Sequence, residues 1–219
     1  MIPVRDDNPV RGIPVVTIGL MLVSMGVYLW QLSLSPEAAR TAIHLLGFVP
    51  AALFGHAEFP SGAWVSPPGS IFTAMFLHGD FLHLAVNMVY LWVFGDNVED
   101  RVGRGRFVAF YLICGAIAAL TQALPDTHSS VPMIGASGAV SGVLGAYVVL
   151  YPRANVLMAM PFLVARVPAL ILLAAWFAGQ LWSSLAAEGG VTFLAHVGGF
   201  LTGALLIRWF LRERRQQRA

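Results

Sequence analysis

Long apolar runs separated by short polar breaks dominate this chain of 219 residues. The runs fall at 13–34, 81–98, 107–124, 134–151, 167–184 and 191–210. Each is close to the roughly 20 residues that an α-helix needs to cross the hydrocarbon of a bilayer. The strands of an outer-membrane barrel would instead alternate over about ten residues. The pattern therefore predicts an all-α integral membrane protein, a bundle of six transmembrane helices. Residues 155–165 are apolar but carry Pro161 and are closed by Arg166 and Pro168, so they read as an interfacial stretch leading into the fifth span. The first run is too long for the apolar core of a signal peptide, and Trp30-Gln31 is not a small-residue cleavage site, so it is expected to stay as a span. Residues 35–70 form a long connection containing Gly47-Phe48-Val49-Pro50, Trp64 and Pro67-Pro68-Gly69. That connection is too apolar for disorder and reads as a partly embedded outer loop.

Composition sharpens this picture. The chain is 58% hydrophobic and 11% charged, against about 25% charged in soluble domains. Its basic residues are all arginine, and their placement gives an orientation. With the N-terminus cytoplasmic, Arg5, Arg11, Arg101, Arg104, Arg106, Arg153, Arg166, Arg208, Arg212, Arg214, Arg215 and Arg218 lie inside and Arg40 alone lies outside, a strong positive-inside bias. The expected organisation is a cytoplasmic segment over 1–12, a membrane domain over 13–210 and a basic cytoplasmic tail over 211–219. The tail suits anionic lipid better than nucleic acid. Cys114, the single cysteine, lies inside a run and cannot form an internal disulfide; it reads as a small packing residue.

Two polar residues stand out because such groups are costly within a membrane. Ser137 lies in Ile134-Gly135-Ala136-Ser137-Gly138-Ala139, and His196 lies in Ala195-His196-Val197-Gly198-Gly199. Both spans enter from the outer face, which puts both residues roughly 5–8 Å below the outer edge at 1.5 Å per residue. His83 and Asn87 occupy the first turns of the second span, at the same depth. Gly138, Gly142 and Gly145 form a stripe on the fourth span, and Ala195, Gly199 and Gly203 form one on the sixth. Small residues at this spacing let membrane helices approach closely, which would bring Ser137 to His196. A histidine base could then activate the serine hydroxyl. No acid lies in either span, and Asp126 and Glu188 fall in outer loops, so a Ser-His dyad is expected, with the imidazole oriented by packing. An oxyanion would form beside the N-terminus of the fourth helix, with His83 and Asn87 as further donors.

Plainer readings exist for each residue. Ser137 and Ser141 could be helix-packing serines, and His196 a buried, hydrogen-bonded histidine. His78 and Asp80 could cap the second span. His44, His56 and His128 read as solvated. Trp92, Trp176 and Trp182 read as interface or lipid-facing anchors, with a gating role as the alternative for Trp176. The run Asp96-Asn97-Val98-Glu99-Asp100 reads as the second span meeting cytosol and pairing with Arg101 to Arg106. A metal hydrolase built on His78, His83 and His196 lacks a His-Glu-x-x-His motif, and neither metal nor cofactor is implied. A transporter would show broken helices and intramembrane charges. A soluble α/β-hydrolase would need a strand before Ser137 and a Gly-x-Ser-x-Gly motif.

Gly135-Ala136-Ser137-Gly138, His83-Leu84-Ala85-Val86-Asn87 preceded by His78, Gly95 with Glu99, Gly105-Arg106-Phe107 and Ala195-His196-Val197-Gly198-Gly199 together resemble the rhomboid family of intramembrane serine proteases. The resemblance implies a six-helix core that cleaves single-pass membrane proteins in or near their transmembrane segment. It implies Ser137 as nucleophile, His196 as general base, and His83 and Asn87 near the oxyanion, with Gly135, Gly138, Gly199 and His78 in support. A catalytically silent relative that binds membrane helices is the alternative; such relatives tend to lose the serine or the histidine, and both are present. Two positions depart from the pattern. Gly69 and Ser70 stand where some members carry Trp-Arg, and Ser141 stands where some carry an aromatic against the histidine ring. The compact six-span form points to a bacterial plasma membrane, with both termini cytoplasmic.

Overall fold

The computed structural model describes residues 2–59, 62–160, 163–186 and 193–216. Pro161, Glu188, the first two residues of the sixth predicted span (191–192) and the tail end at 217–219 lie outside the described residues. The elements are β1 (Ile2–Asp6), α1 (Val15–Ser33), α2 (Pro36–Leu46), α3 (Pro50–Leu53), α4 (Pro67–Thr73), α5 (Phe81–Val102), α6 (Arg104–Ala123), α7 (Ser137–Leu150), β2 (Asn155–Met160), β3 (Leu163–Pro168), α8 (Ala169–Ala186) and α9 (Phe193–Gln216). A single 3₁₀ turn over Ala74–Phe76 follows α4.

Each predicted span coincides with one helix, namely α1 and then α5 to α9. Among the described residues three of them, α1, α6 and α9, are long and apolar enough to cross a membrane. A fourth crossing results if α4 and its 3₁₀ turn, bent 84° from α5, count with it as one broken span. α7 and α8 are shorter apolar helices, so six full-length crossings are more than length and composition give. In α7 the shortfall arises before the serine. Met133 is apolar but pairs in an isolated bridge with Phe48, and the helix begins only at Ser137.

The fold is not all-α, and residues 155–165 are not a lone interfacial stretch. β2 and β3 form an antiparallel hairpin in register from Asn155↔Pro168 to Met160↔Leu163. β1 pairs with the other edge of β2. Along β2 the burial has period two, with Val156 and Met158 buried and their neighbours partly open, the mark of a strand with one face on the core.

Polar contacts tie this sheet to the helices. Asp6 Oδ2 accepts from Asn97 Nδ2 (2.9 Å), Asn8 Nδ2 (2.8 Å) and the Tyr147 hydroxyl. Glu99 does not simply meet cytosol. It is 3% exposed, and its carboxylate accepts from Val16 N (3.0 Å), Thr17 N (2.7 Å) and Thr17 Oγ1 (2.8 Å). A side chain of α5 thereby supplies the N-cap that Pro14 cannot give α1, and its negative charge sits at the positive end of the helix dipole.

The glycine stripes meet as the sequence predicts. A Cβ on Gly199 would collide with the carbonyl oxygen of Gly138, one on Gly203 with that of Gly142, and one on Gly145 with that of Phe200. α7 and α9 therefore pack backbone to backbone. This seam positions the site.

The long first connection is a built structure. Ser35 and Ser66 cap α2 and α4. Phe48 exchanges backbone hydrogen bonds with Met133 (3.0 and 2.7 Å), Ala51 N donates to Ser129 O (2.9 Å), and Thr73 Oγ1 donates to Leu46 O (2.6 Å). Without Trp-Arg at 69–70, Gly69 N reaches the Ser66 cap at 3.3 Å, and buried Ser70 donates to Pro67 O at 2.7 Å.

Candidate active site

Ser137 is the first residue of α7. The chain enters the helix through Gly135, whose φ of 119° lies in the region open to glycine and whose N–H donates to Ala74 O at 2.9 Å. A Cβ on Gly135 would sit 2.7 Å from Cε1 and Nε2 of His83. A glycine is thus required here twice over, by backbone conformation and by the approach of the imidazole.

His196 lies in the first turn of α9. The helix start is held from α6, where Gln122 Oε1 accepts from Ala195 N at 3.1 Å. The α7–α9 seam brings the Oγ of Ser137 to 2.8 Å from Nε2 of His196. The other ring nitrogen is not left to packing. Nδ1 of His196 lies 2.6 Å from Oε1 of Gln180 on α8. Trp176, one turn earlier on α8, places its ring 6.1 Å from the imidazole at 37°. The aromatic neighbour absent at Ser141 is thus supplied by a different helix. Ser141 is buried and donates to Ser137 O at 2.6 Å, a back-bond of a helix-packing serine. Trp92 and Trp182 are well exposed, as lipid-facing anchors would be, whereas Trp176 lines the site.

α5 contributes the second set. Asp80 is its N-cap, accepting from His83 N at 2.8 Å. His78 takes no part in that cap. It is buried, and Gln31 of α1 clamps its backbone, donating to His78 O and accepting from His78 N, both at 3.1 Å. The rings of His78 and His83 meet edge to face, with centroids 5.1 Å apart and planes at 67°. Asn87 is buried, and its amide donates to His83 O at 2.8 Å; the amide carries a second N–H. His56 and His128 are not simply solvated but stack on each other at 3.8 Å.

Ser137, His196, His83, Asn87 and Gln180 all line one cavity of about 700 Å³. α5 forms one wall with Val86 and Tyr90, α8 another with Trp176, and α7 adds Val140 and Leu144. Most of the cavity's exposed lining is apolar, and its polar groups include Gln122, Asp126 and Ser129 beside those at the dyad, a mixed make-up common in binding clefts. Sequence reasoning missed Gln180 and Gln122. Both are lone amides near the ends of apolar runs, a signal of the same kind as Asn87.

The Rhomboid domain model matches residues 67–213. Rhomboid protein 1, mitochondrial, of Saccharomyces cerevisiae is 32% identical over 173 residues, covering 71% of this chain and 47% of that protein. Rhomboid protease AarA of Providencia stuartii is 29% identical over 214 residues, covering 89% of this chain and 72% of AarA. Rhomboid protease GluP of Bacillus subtilis is 40% identical over 85 residues, 38% of this chain and 16% of GluP. The chain thus spans about half the length of the yeast relative. Mitochondrial and chloroplastic relatives stand beside bacterial ones, so the expected bacterial plasma membrane is not singled out. With its apolar helices and a domain match over well more than half its length, this integral membrane protein belongs to the rhomboid family.

Proposed function

We propose that this chain is an intramembrane serine endopeptidase that cleaves single-pass membrane proteins in or near their transmembrane segment. The observation that carries the reading is the 2.8 Å approach of Ser137 Oγ to His196 Nε2. In the proposed reaction Nε2 takes the hydroxyl proton as Oγ bonds to the scissile carbonyl carbon. The carbonyl oxygen becomes an oxyanion beside the first-turn N–H groups of α7, which lack intrahelical partners, with His83 and Asn87 adding side-chain donors. The tetrahedral species expels the amine, which leaves with the proton held by His196. Water, deprotonated by the same imidazole, then releases the acyl group from Ser137. Each oxyanion donor of this kind is worth about 10²–10³ in rate.

The apolar cavity between α5 and α8 suits a segment of membrane-protein chain, and no metal or cofactor enters the scheme. For topology, we propose that α1 and α5 to α9 cross the bilayer with both termini cytoplasmic. The start of α1, the end of α5 and the end of α9 share one pole, linked by Arg104 to Ile13 O (3.3 Å) and Arg106 to Phe210 O (3.4 Å). Arginines at that pole favour the cytoplasmic side. Segments 1–12 and 211–219 would lie at that face, against the lipid surface.

The test is covalent labelling in detergent micelles. A fluorophosphonate should modify the wild type, while Ser137→Ala and His196→Ala should stay unlabelled. Labelling that survives Ser137→Ala overturns the proposal.

A further inference from the structure

We infer that Gln180 is the positioning residue of the dyad, a neutral third member that fixes the tautomer of His196. The inference rests on the reading of Ser137 and His196 as nucleophile and base. A neutral imidazole carries one N–H and one lone pair. To accept the Ser137 proton the lone pair must be on Nε2, so the N–H must be on Nδ1 and needs an acceptor. Oε1 of Gln180 stands at 2.6 Å from Nδ1, at the short end of the distances for an N–H to a carbonyl. The reverse amide orientation would direct an N–H toward Nδ1 and force the imidazole proton onto Nε2, facing Ser137 and disarming it.

A glutamine also suits its surroundings. A carboxylate would orient the ring equally well but would add an ionised group beside a neutral imidazole within the proposed membrane domain, where such groups are costly. An amide orients without that charge. The same helix places Trp176 against the ring, one turn before Gln180, so α8 supplies both a wall and an acceptor. The sequence holds no acid in α7 or α9 other than Glu213 in the C-terminal turn of α9, far from His196. Gln180 fills the place an acid would take.

The experiment compares Gln180→Met, which keeps the length and removes the acceptor, with Gln180→Glu, which keeps an acceptor oxygen. Loss of one neutral hydrogen bond to the base should lower kcat and the fluorophosphonate labelling rate about tenfold in Gln180→Met, with KM unchanged. Gln180→Glu should recover to within about threefold of wild type. A Met variant that labels at the wild-type rate, or a Glu variant as slow as the Met variant, overturns the role of Gln180. Imidazole ¹⁵N spectra of the wild type provide a test that needs no variant to fold. His196 should be protonated at Nδ1; protonation at Nε2 overturns the inference. Wild type that takes no label at Ser137 refutes the dyad reading itself, an outcome distinct from failure of the Gln180 variants alone.

Discussion

Replacing Gly199 by alanine adds one methyl group and should disable the site from a distance. A Cβ there would overlap the carbonyl oxygen of Gly138. That oxygen would have to withdraw by about 1 Å or more to reach ordinary van der Waals separation. Both partners are helix backbone, so the movement is carried by α7 and α9 as bodies. Ser137 is the neighbour of Gly138, and His196 is three residues before Gly199. Separating the helices by about 1 Å stretches the 2.8 Å link between Oγ and Nε2 to nearly 4 Å, beyond hydrogen-bond range. A misplacement of that size costs about 10²-fold in rate, and overpacking the seam costs about 1–3 kcal/mol of stability. The assay is the rate of fluorophosphonate labelling beside thermal unfolding in the same micelles. Gly26→Ala is the control, since a Cβ on Gly26 of α1 meets nothing within 4 Å and alanine favours a helix by about 1 kcal/mol. A Gly199→Ala protein that labels at the wild-type rate would show that the seam does not set the spacing of the dyad.

Other perturbations separate the parts of the site. Asn87→Ala should lower turnover about 10²-fold with little change in thermal stability, and unchanged turnover removes Asn87 from the oxyanion site. Gly135→Ala, at a φ of 119° and 2.7 Å from the His83 ring, should displace that ring and cost at least 1 kcal/mol in unfolding measurements; a variant as stable and active as wild type refutes the close approach. Glu99→Ala strips the buried cap from α1 and should cost about 2 kcal/mol, with labelling of Ser137 retained at temperatures where the protein stays folded. Asp7 lies outside the spans, and the backbone and side-chain N–H groups of Asn155 hold its carboxyl below the ordinary 3.8. A lowered carboxyl stabilises the sheet above that value and loses the contribution as pH falls below it. The protection factor of the Asn155 amide, its exchange rate relative to the intrinsic rate at the same pH, should therefore fall in acid, and Asp7→Asn should remove that pH dependence.

Much of the architecture was legible because membrane helices announce themselves by continuous apolarity, and all six runs became helices. The stripes at Gly138 and Gly199 were legible for a related reason: only glycine tolerates such close backbones. The sheet was hidden because β2 finds one partner in β3 nearby and another in β1, roughly 150 residues away in sequence. A strand of Met, Val and Leu reads the same as an apolar stretch at an interface. Gln180 was hidden because a single amide in an apolar run carries no motif. Applying to α8 the depth argument that singled out Asn87 would have flagged it. Glu99 looked solvated because its run is acidic, while its true partners are the backbone N–H groups of a helix that begins some 80 residues earlier.

The brevity of α7 bears on a second reagent that the proposed reaction needs. A helix of 14 residues is about 21 Å long, against roughly 30 Å of hydrocarbon. Tyr147, bonded to Asp6, moors its far end to the sheet. On the proposed topology, with that far end at the cytoplasmic face, the Ser137 end would stop about 9 Å short of the opposite surface. Peptide hydrolysis consumes a water molecule for each bond cut, and bulk lipid supplies none. A short helix under the cavity that Ser137 lines would leave a well through which solvent could reach the proposed acyl group on Ser137, so the brevity of α7 is what would let the proposed hydrolysis proceed inside a membrane.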